Sequence, residues 1–203
     1  DAAALATAYR AGIVASGRQM ASTAIIDLRG WDDANHPGNV PPGLNPPAAP
    51  IHHQWFSWAV RDRIVAESAS GDAGNQALWR FARTGLGAPG TLGSEAFLMM
   101  DLWLSNLKAD DRAIPLEQKV RAARPAATAD FCLLPEDATQ SVRITDAATC
   151  DANRFLKPSL SPRQVAGGPR AENILKCQRK PMARDDADYG TVSFSDSQWQ
   201  RLV

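Results

Sequence analysis

Two histidines in tandem, His52 and His53, stand directly ahead of a helical run that opens on Trp55, and an acid pair, Asp32-Asp33, follows the apolar stretch Ile25-Ile26-Asp27-Leu28. Imidazole is the side chain best suited to moving a proton near neutral pH, and a carboxylate on its second nitrogen fixes its tautomer and orientation. The acids sit in the segment Gly30-Trp31-Asp32-Asp33, so Asp33 completes a Gly-x-x-Asp spacing and Asp32 is one residue away. In open α/β sheets, ligands bind beyond the carboxyl ends of the strands, where an acid in the first loop is well placed. The chemistry on offer is the acid and base of a nucleophile-histidine-carboxylate relay. Trp31, Trp55 and Trp58 could then roof an acyl or aryl pocket. A structural account stands beside it: an Asp pair bonding its own turn, surface histidines, and tryptophans that only pack a helix.

No nucleophile accompanies these residues. Gly-x-Ser-x-Gly occurs nowhere, and Ser94, after Gly93, serves better as a helix N-cap. Cys132, Cys150 and Cys177 form no Cys-x-x-Cys pair and lie far in sequence from His36, His52 and His53, which argues against a metal site; no cofactor is expected. Cys132 and Cys150 enclose a stretch of Thr, Asp, Ala and Pro with little apolar content. A bridge across it would contribute roughly 3 kcal/mol in the chain-entropy account, so a disulfide in an exported protein is expected. Cys177 is left over, as a buried thiol or as the partner of a cysteine on another segment.

The elements that must position these groups follow from periodicity. The chain has 203 residues, with 22 basic and 22 acidic side chains, and this balance excludes partners held by bulk charge, nucleic acid and anionic membranes among them. A helical pattern covers 2–17 and ends at Gly17, and a β-rich run covers 23–28. Prolines forbid regular structure over 35–50. The pattern then gives a helix over 54–69, a strand over 76–81, a helix over 94–108 and a short helix over 115–123. Beyond Arg124 the sequence dissolves into turns. Between Arg154 and Arg184 lie eight Lys or Arg and one acid, Glu172, more readily a solvated or partner-facing coat than a ligand patch. Ser195 to Gln198 form a capping box at a chain end that reads as cut. Strand, helix, strand, helix is an α/β order, and the consecutive apolar residues of its strands suit a sheet covered on both faces. Two strands do not make such a sheet, so further strands are expected from another chain or from an upstream segment.

The segments IIDLRGWDD, IHHQWFSWAVRDRI, GNQALWRF, MMDLWLSNLKAD and ILKCQRKP together resemble the C-terminal portion of a family of secreted bacterial proteins related to the tannase and feruloyl-esterase branch of α/β hydrolases. The resemblance implies a longer precursor with the serine upstream, an export signal, and a further cysteine that pairs with Cys177. Carried over by position, Asp33 (or Asp32) is the triad acid and His52 the base, with His53 beside it. One departure stands out. The histidine of that fold ordinarily follows the last strand, here Gln76–Phe81, and no histidine lies after it. The expected architecture is the C-terminal part of an α/β-hydrolase-like domain over 1–124, with a turn-rich, disulfide-stapled extension over 125–203 packing on it. The expected function is ester hydrolysis, secreted or periplasmic, on a small phenolic or oligomeric ester, with a companion N-terminal chain of the same precursor. A non-catalytic binding protein of the same fold and a secreted structural or assembly domain are the alternatives.

Overall fold

The strand Gln76–Phe81 is buried at every residue and forms the spine of the fold (β2). A computed structural model of the chain describes residues 2–11, 16–30, 53–81, 90–134, 136–137, 139–153, 156–158, 160–172, 182–184 and 189–202. Ile25–Gly30 (β1) pairs with β2 in parallel along its whole length, from Ile25 opposite Gln76 to Gly30 opposite Phe81. On the other side Phe131–Leu133 (β3) is also parallel, with Trp79 opposite Phe131, and Arg143–Ile144 (β4) closes the sheet antiparallel to β3. The sheet is therefore mixed and four-stranded, in the order β1-β2-β3-β4. Two of its strands lie beyond residue 130 of this same chain, which corrects the expectation that everything beyond the first two must come from elsewhere. At three and two residues, β3 and β4 are too short to leave a periodic signature in sequence.

Parallel strands need crossovers, and helices provide them. Trp55–Glu67 joins β1 to β2; Leu92–Ala109 and Leu116–Ala122 join β2 to β3. With Ala2–Arg10 as α1, these are α2, α3 and α4, and the short helices Ala147–Ala152, Pro162–Val165 and Asp196–Trp199 are α5, α6 and α7.

Alternation along β2 sends Ala77, Trp79 and Phe81 to one face, where they join Leu92 and Ala96 of α3 with Phe131 and Leu133. Trp79 sets its ring 4.9 Å from that of Phe131 and donates its indole N–H to the Ala129 carbonyl at 3.1 Å. A second cluster, Trp103, Val120 and Ala123, fastens α4 to α3, with the Trp103 indole donating to the Val120 carbonyl at 2.7 Å. The helix α3 begins at Leu92, two residues before Ser94, and no side chain caps it. Its buried line is Leu92, Ala96 and Trp103, whereas Phe97 is 73% exposed. The helix is apolar on nearly every side, so its sequence could not say which stripe meets the sheet.

The opposite face of the sheet is polar, and α2 covers it. This helix has almost no apolar stripe: Ser57, Ala59 and Ile64 are its buried residues. Arginines fasten it instead. Arg61 reaches Gln76 Oε1 at 3.0 Å and Asp130 at 2.6 Å. Gly17 (φ +83°) lies so close beneath α2 that a Cβ there would sit 2.5 Å from the Arg63 carbonyl oxygen. From outside, residues 170–172 clamp the same helix. Arg170 pairs with both oxygens of Asp62 at 2.6 and 2.7 Å, and Arg63 donates to the Ala171 and Glu172 carbonyls at 2.5 and 3.0 Å. Arg170, one member of the basic run, thus belongs to an intramolecular ion pair.

The expected Cys132–Cys150 disulfide is formed, with Cα atoms 6.0 Å apart, and it packs with Leu156 in a third small cluster. Cys177 lies outside the described residues. The capping box at Ser195 is present: its hydroxyl accepts from the Gln198 N–H at 3.3 Å and its own N–H donates to Gln198 Oε1 at 2.9 Å. No helix among the described residues is long and apolar enough to cross a membrane.

Candidate functional site

In the β1–α2–β2 unit the helix runs back against the strands. Its first turn therefore stands over the carboxyl ends of β1 and β2, and its later turns over their beginnings. Two contacts fix that direction: Ser57 bonds Arg29, the penultimate residue of β1, and Arg61 bonds Gln76, the first residue of β2. The carboxyl ends themselves are Gly30 and Phe81, paired in register.

His53 sits at the head of α2. Its carbonyl accepts the Phe56 N–H at 3.3 Å, and the Gln54 carbonyl accepts the Ser57 N–H at 2.9 Å, so the first turn is built on both residues. The imidazole is half-buried, lies 6.4 Å from the Trp55 ring and is inclined to it by 21°. Its Nδ1 is enclosed and has no hydrogen-bond partner among the described residues. A buried ring nitrogen without a partner is unusual, because buried polar atoms are nearly always satisfied. The Trp58 indole Nε1, one turn along the same helix, is likewise enclosed with no hydrogen-bond partner among the described residues.

Among the other residues marked by sequence, Trp55 is brought beside His53 and in turn lies 3.7 Å, ring to ring, from Phe56. Trp58, one turn further on, is drawn into a different environment. The guanidinium groups of Arg61, Arg80 and Arg170 lie 5.2, 5.5 and 5.6 Å from its ring centre, so its face serves as a cation–π anchor for α2. Trp31, Asp32, Asp33 and His52 lie outside the described residues. By chain order they follow Gly30 and precede His53, the two ends that flank the site.

Sequence reasoning passed over Arg29 and Arg80. They are register partners on the α2 side of β1 and β2. Arg29 Nε donates to Ser57 Oγ at 2.7 Å, and its NH2 lies 3.4 Å from Asp27. Arg80 is 4% exposed and pairs with Asp151 at 2.7 Å while donating to the Leu156 carbonyl at 3.3 Å. A signal for both was available: each is a cation flanked by apolar residues within a strand, LRG and LWRF, and a cation there needs an assigned partner.

A cleft of about 700 Å³ opens at the other end of the strands, lined by Arg61, Asp72, Gln76, Arg121, Arg124 and Asp130. Its arginines are engaged structurally, Arg121 with Asp72 at 2.5 Å and Arg124 with the Thr128 carbonyl at 2.6 Å. Among the described residues, no group of three or more His, Cys, Asp or Glu side chains could hold a metal ion.

The sequence profile of a tannase-like family of unknown function matches residues 1–203, the whole chain. The chain belongs to that family. No curated protein and no solved structure matches it. In this member of the tannase-like family a half-buried imidazole, that of His53, heads a helix anchored by arginines whose first turn stands over the carboxyl ends of a parallel strand pair.

Proposed function

We propose that this chain provides the acid and base of a serine ester hydrolase built on an α/β-hydrolase-like sheet, with the nucleophilic serine on a companion N-terminal segment of the same precursor. The observation that carries the reading is the head of α2, whose first turn stands over the carboxyl ends of β1 and β2 and where His53, the sequence-neighbour of His52, has an enclosed Nδ1 with no hydrogen-bond partner among the described residues. Membership of a tannase-like family supports the same reading. In the proposed mechanism the serine attacks the ester carbonyl while the histidine takes its proton. The imidazolium then gives that proton to the departing alkoxide or phenoxide, and water, activated by the same base, releases the acid product. In this reading His52 is the base, the role that the sequence resemblance implies for it. Asp33, or Asp32, holds the imidazolium by its second nitrogen. Trp31 and Trp55 flank a phenolic or oligomeric ester, and backbone N–H groups of the companion segment receive the oxyanion. The Cys132–Cys150 bridge supports a secreted or periplasmic location.

A fluorophosphonate probe on the native protein with its companion segment tests the reading. Labelling of a serine, together with ester hydrolysis lost in His52→Ala or in His53→Ala, is the expected result. Wild-type hydrolysis in both histidine variants would mean that neither histidine is the base, and no labelling together with no ester hydrolysis would leave the non-catalytic binding protein ahead. That second reading draws on one feature, the absence of any histidine after β2.

A further inference from the structure

Resting on the ester-hydrolase reading, we infer that Arg29 is a positioning residue for His53 and acts through Ser57. The argument begins with what holds α2. Apolar burial fixes a helix to a sheet without fixing its height, and among the residues of α2 only two hydrophobic side chains, Ala59 and Ile64, are fully buried. Its placement therefore depends on directional bonds. At its far end Arg61 supplies them. At its near end the Arg29 Nε–H to Ser57 Oγ bond, 2.7 Å long, is the direct strut between β1 and the first turn. Ser57 is fully buried, so its hydroxyl has no water to exchange for this partner.

The strut continues to His53 through the backbone. The Ser57 N–H is bonded to the Gln54 carbonyl and the Phe56 N–H to the His53 carbonyl, so a shift of Ser57 moves the backbone that carries His53. Asp27, two residues back on the same strand face, lies 3.4 Å from the Arg29 guanidinium and balances its charge. A neutralised guanidinium is suited to holding geometry rather than to capturing an anionic substrate. Among the described residues the side-chain partners of Arg29 are Ser57 and Asp27, and through Ser57 it sets where the backbone of His53 stands.

The test uses the full protein, a p-nitrophenyl ester and the imidazole resonances of His53 in heteronuclear spectra. Arg29→Met and Ser57→Ala should each lower kcat about tenfold with KM changed less than about twofold, since misplacement of a catalytic group by a fraction of an ångström acts on the chemical step. The double variant should be no slower than the slower single, because both remove one contact. Ser57→Thr, which keeps the hydroxyl, should retain most of kcat. His53 resonances should move in Arg29→Met and in Ser57→Ala and stay in place in Ser57→Thr. If Arg29→Met does not fold, Ser57→Ala decides alone. Unmoved His53 resonances in Ser57→Ala, losses that multiply in the double variant, or a Ser57→Thr as slow as Ser57→Ala would overturn the inference. If the parent protein hydrolyses no ester, the enzymatic reading fails, while the His53 resonances still decide whether Arg29 positions His53.

Discussion

The Asp130 carboxylate takes the place of a strand: its Oδ1 accepts the Leu78 N–H at 3.0 Å, on the side of β2 where β3 has not yet begun. Its other oxygen holds Arg61 at 2.6 Å, so one side chain both extends the β2–β3 ladder and ties down α2. Asp130→Ala should lower the free energy of unfolding by about 1–3 kcal/mol, because it orphans a buried backbone N–H and removes the charged partner of a largely buried guanidinium that keeps only Gln76 among the described residues. Asp130→Asn keeps one acceptor and should cost less. Urea unfolding of the two variants checks the order, and equal losses would mean that the charge alone matters.

The Cys132–Cys150 bridge closes the β3–α5 region around a small cluster with Leu156. Cys132→Ser with Cys150→Ser should destabilise the chain by about 2–4 kcal/mol. Thiol titration of the unreduced, denatured protein should find at most one reactive thiol. Two or three would contradict the bridge.

Several carboxylates titrate below their ordinary range. The Arg112 guanidinium brings Asp110 from 3.8 to about 2. The Thr139 hydroxyl, with the backbone N–H groups of Val142 and Ser141, lowers Asp137, and the Ser68 hydroxyl lowers Glu117. A depressed folded-state pKa contributes stability that is fully present above the unfolded value and is lost as pH falls through the folded value. These groups should therefore leave stability unchanged above about pH 5 and erode it from about pH 4 downward. Asp137→Asn should make that acid limb shallower in urea unfolding at a series of pH values, with no change of slope near neutrality.

For the proposed chemistry, His52→Ala should reduce kcat on the order of 10³-fold or more with the fold intact, and Asp33→Asn somewhat less. Asp32→Asn and His53→Ala should have smaller effects. Steady-state kinetics beside circular dichroism separate a lost base from a lost fold. A critical His53 would keep the site and move the base by one residue.

The elements were legible where a pattern ran long enough. Gln76–Phe81 matches its predicted bounds, α2 and α4 lie one or two residues inside theirs, and β1 is shifted two residues along. The strands β3 and β4 were illegible because two or three residues carry no period. The orientation of α3 was illegible because Phe97, Leu98 and Leu104 are as apolar as the residues that are in fact buried. At the site, the tandem histidines and Trp55 stood out by type. Arg29 and Ser57 did not, because their importance comes from a sheet-to-helix hydrogen bond across 28 positions of sequence, which no local pattern encodes.

A helix fastened by guanidinium groups rather than by an apolar stripe has a thermodynamic signature of its own. Lifting α2 from the sheet would uncover Ala59 and Ile64 but leave the Trp79 and Trp103 clusters closed, so the opening would carry a smaller heat-capacity change and a weaker dependence on denaturant than global unfolding. Amide exchange in α2 should then proceed through a local opening less responsive to urea, while the amides of β2 wait for global unfolding. Added salt, which screens the ion pairs of Arg61 and Arg170, should quicken exchange in the helix before it is felt in the sheet.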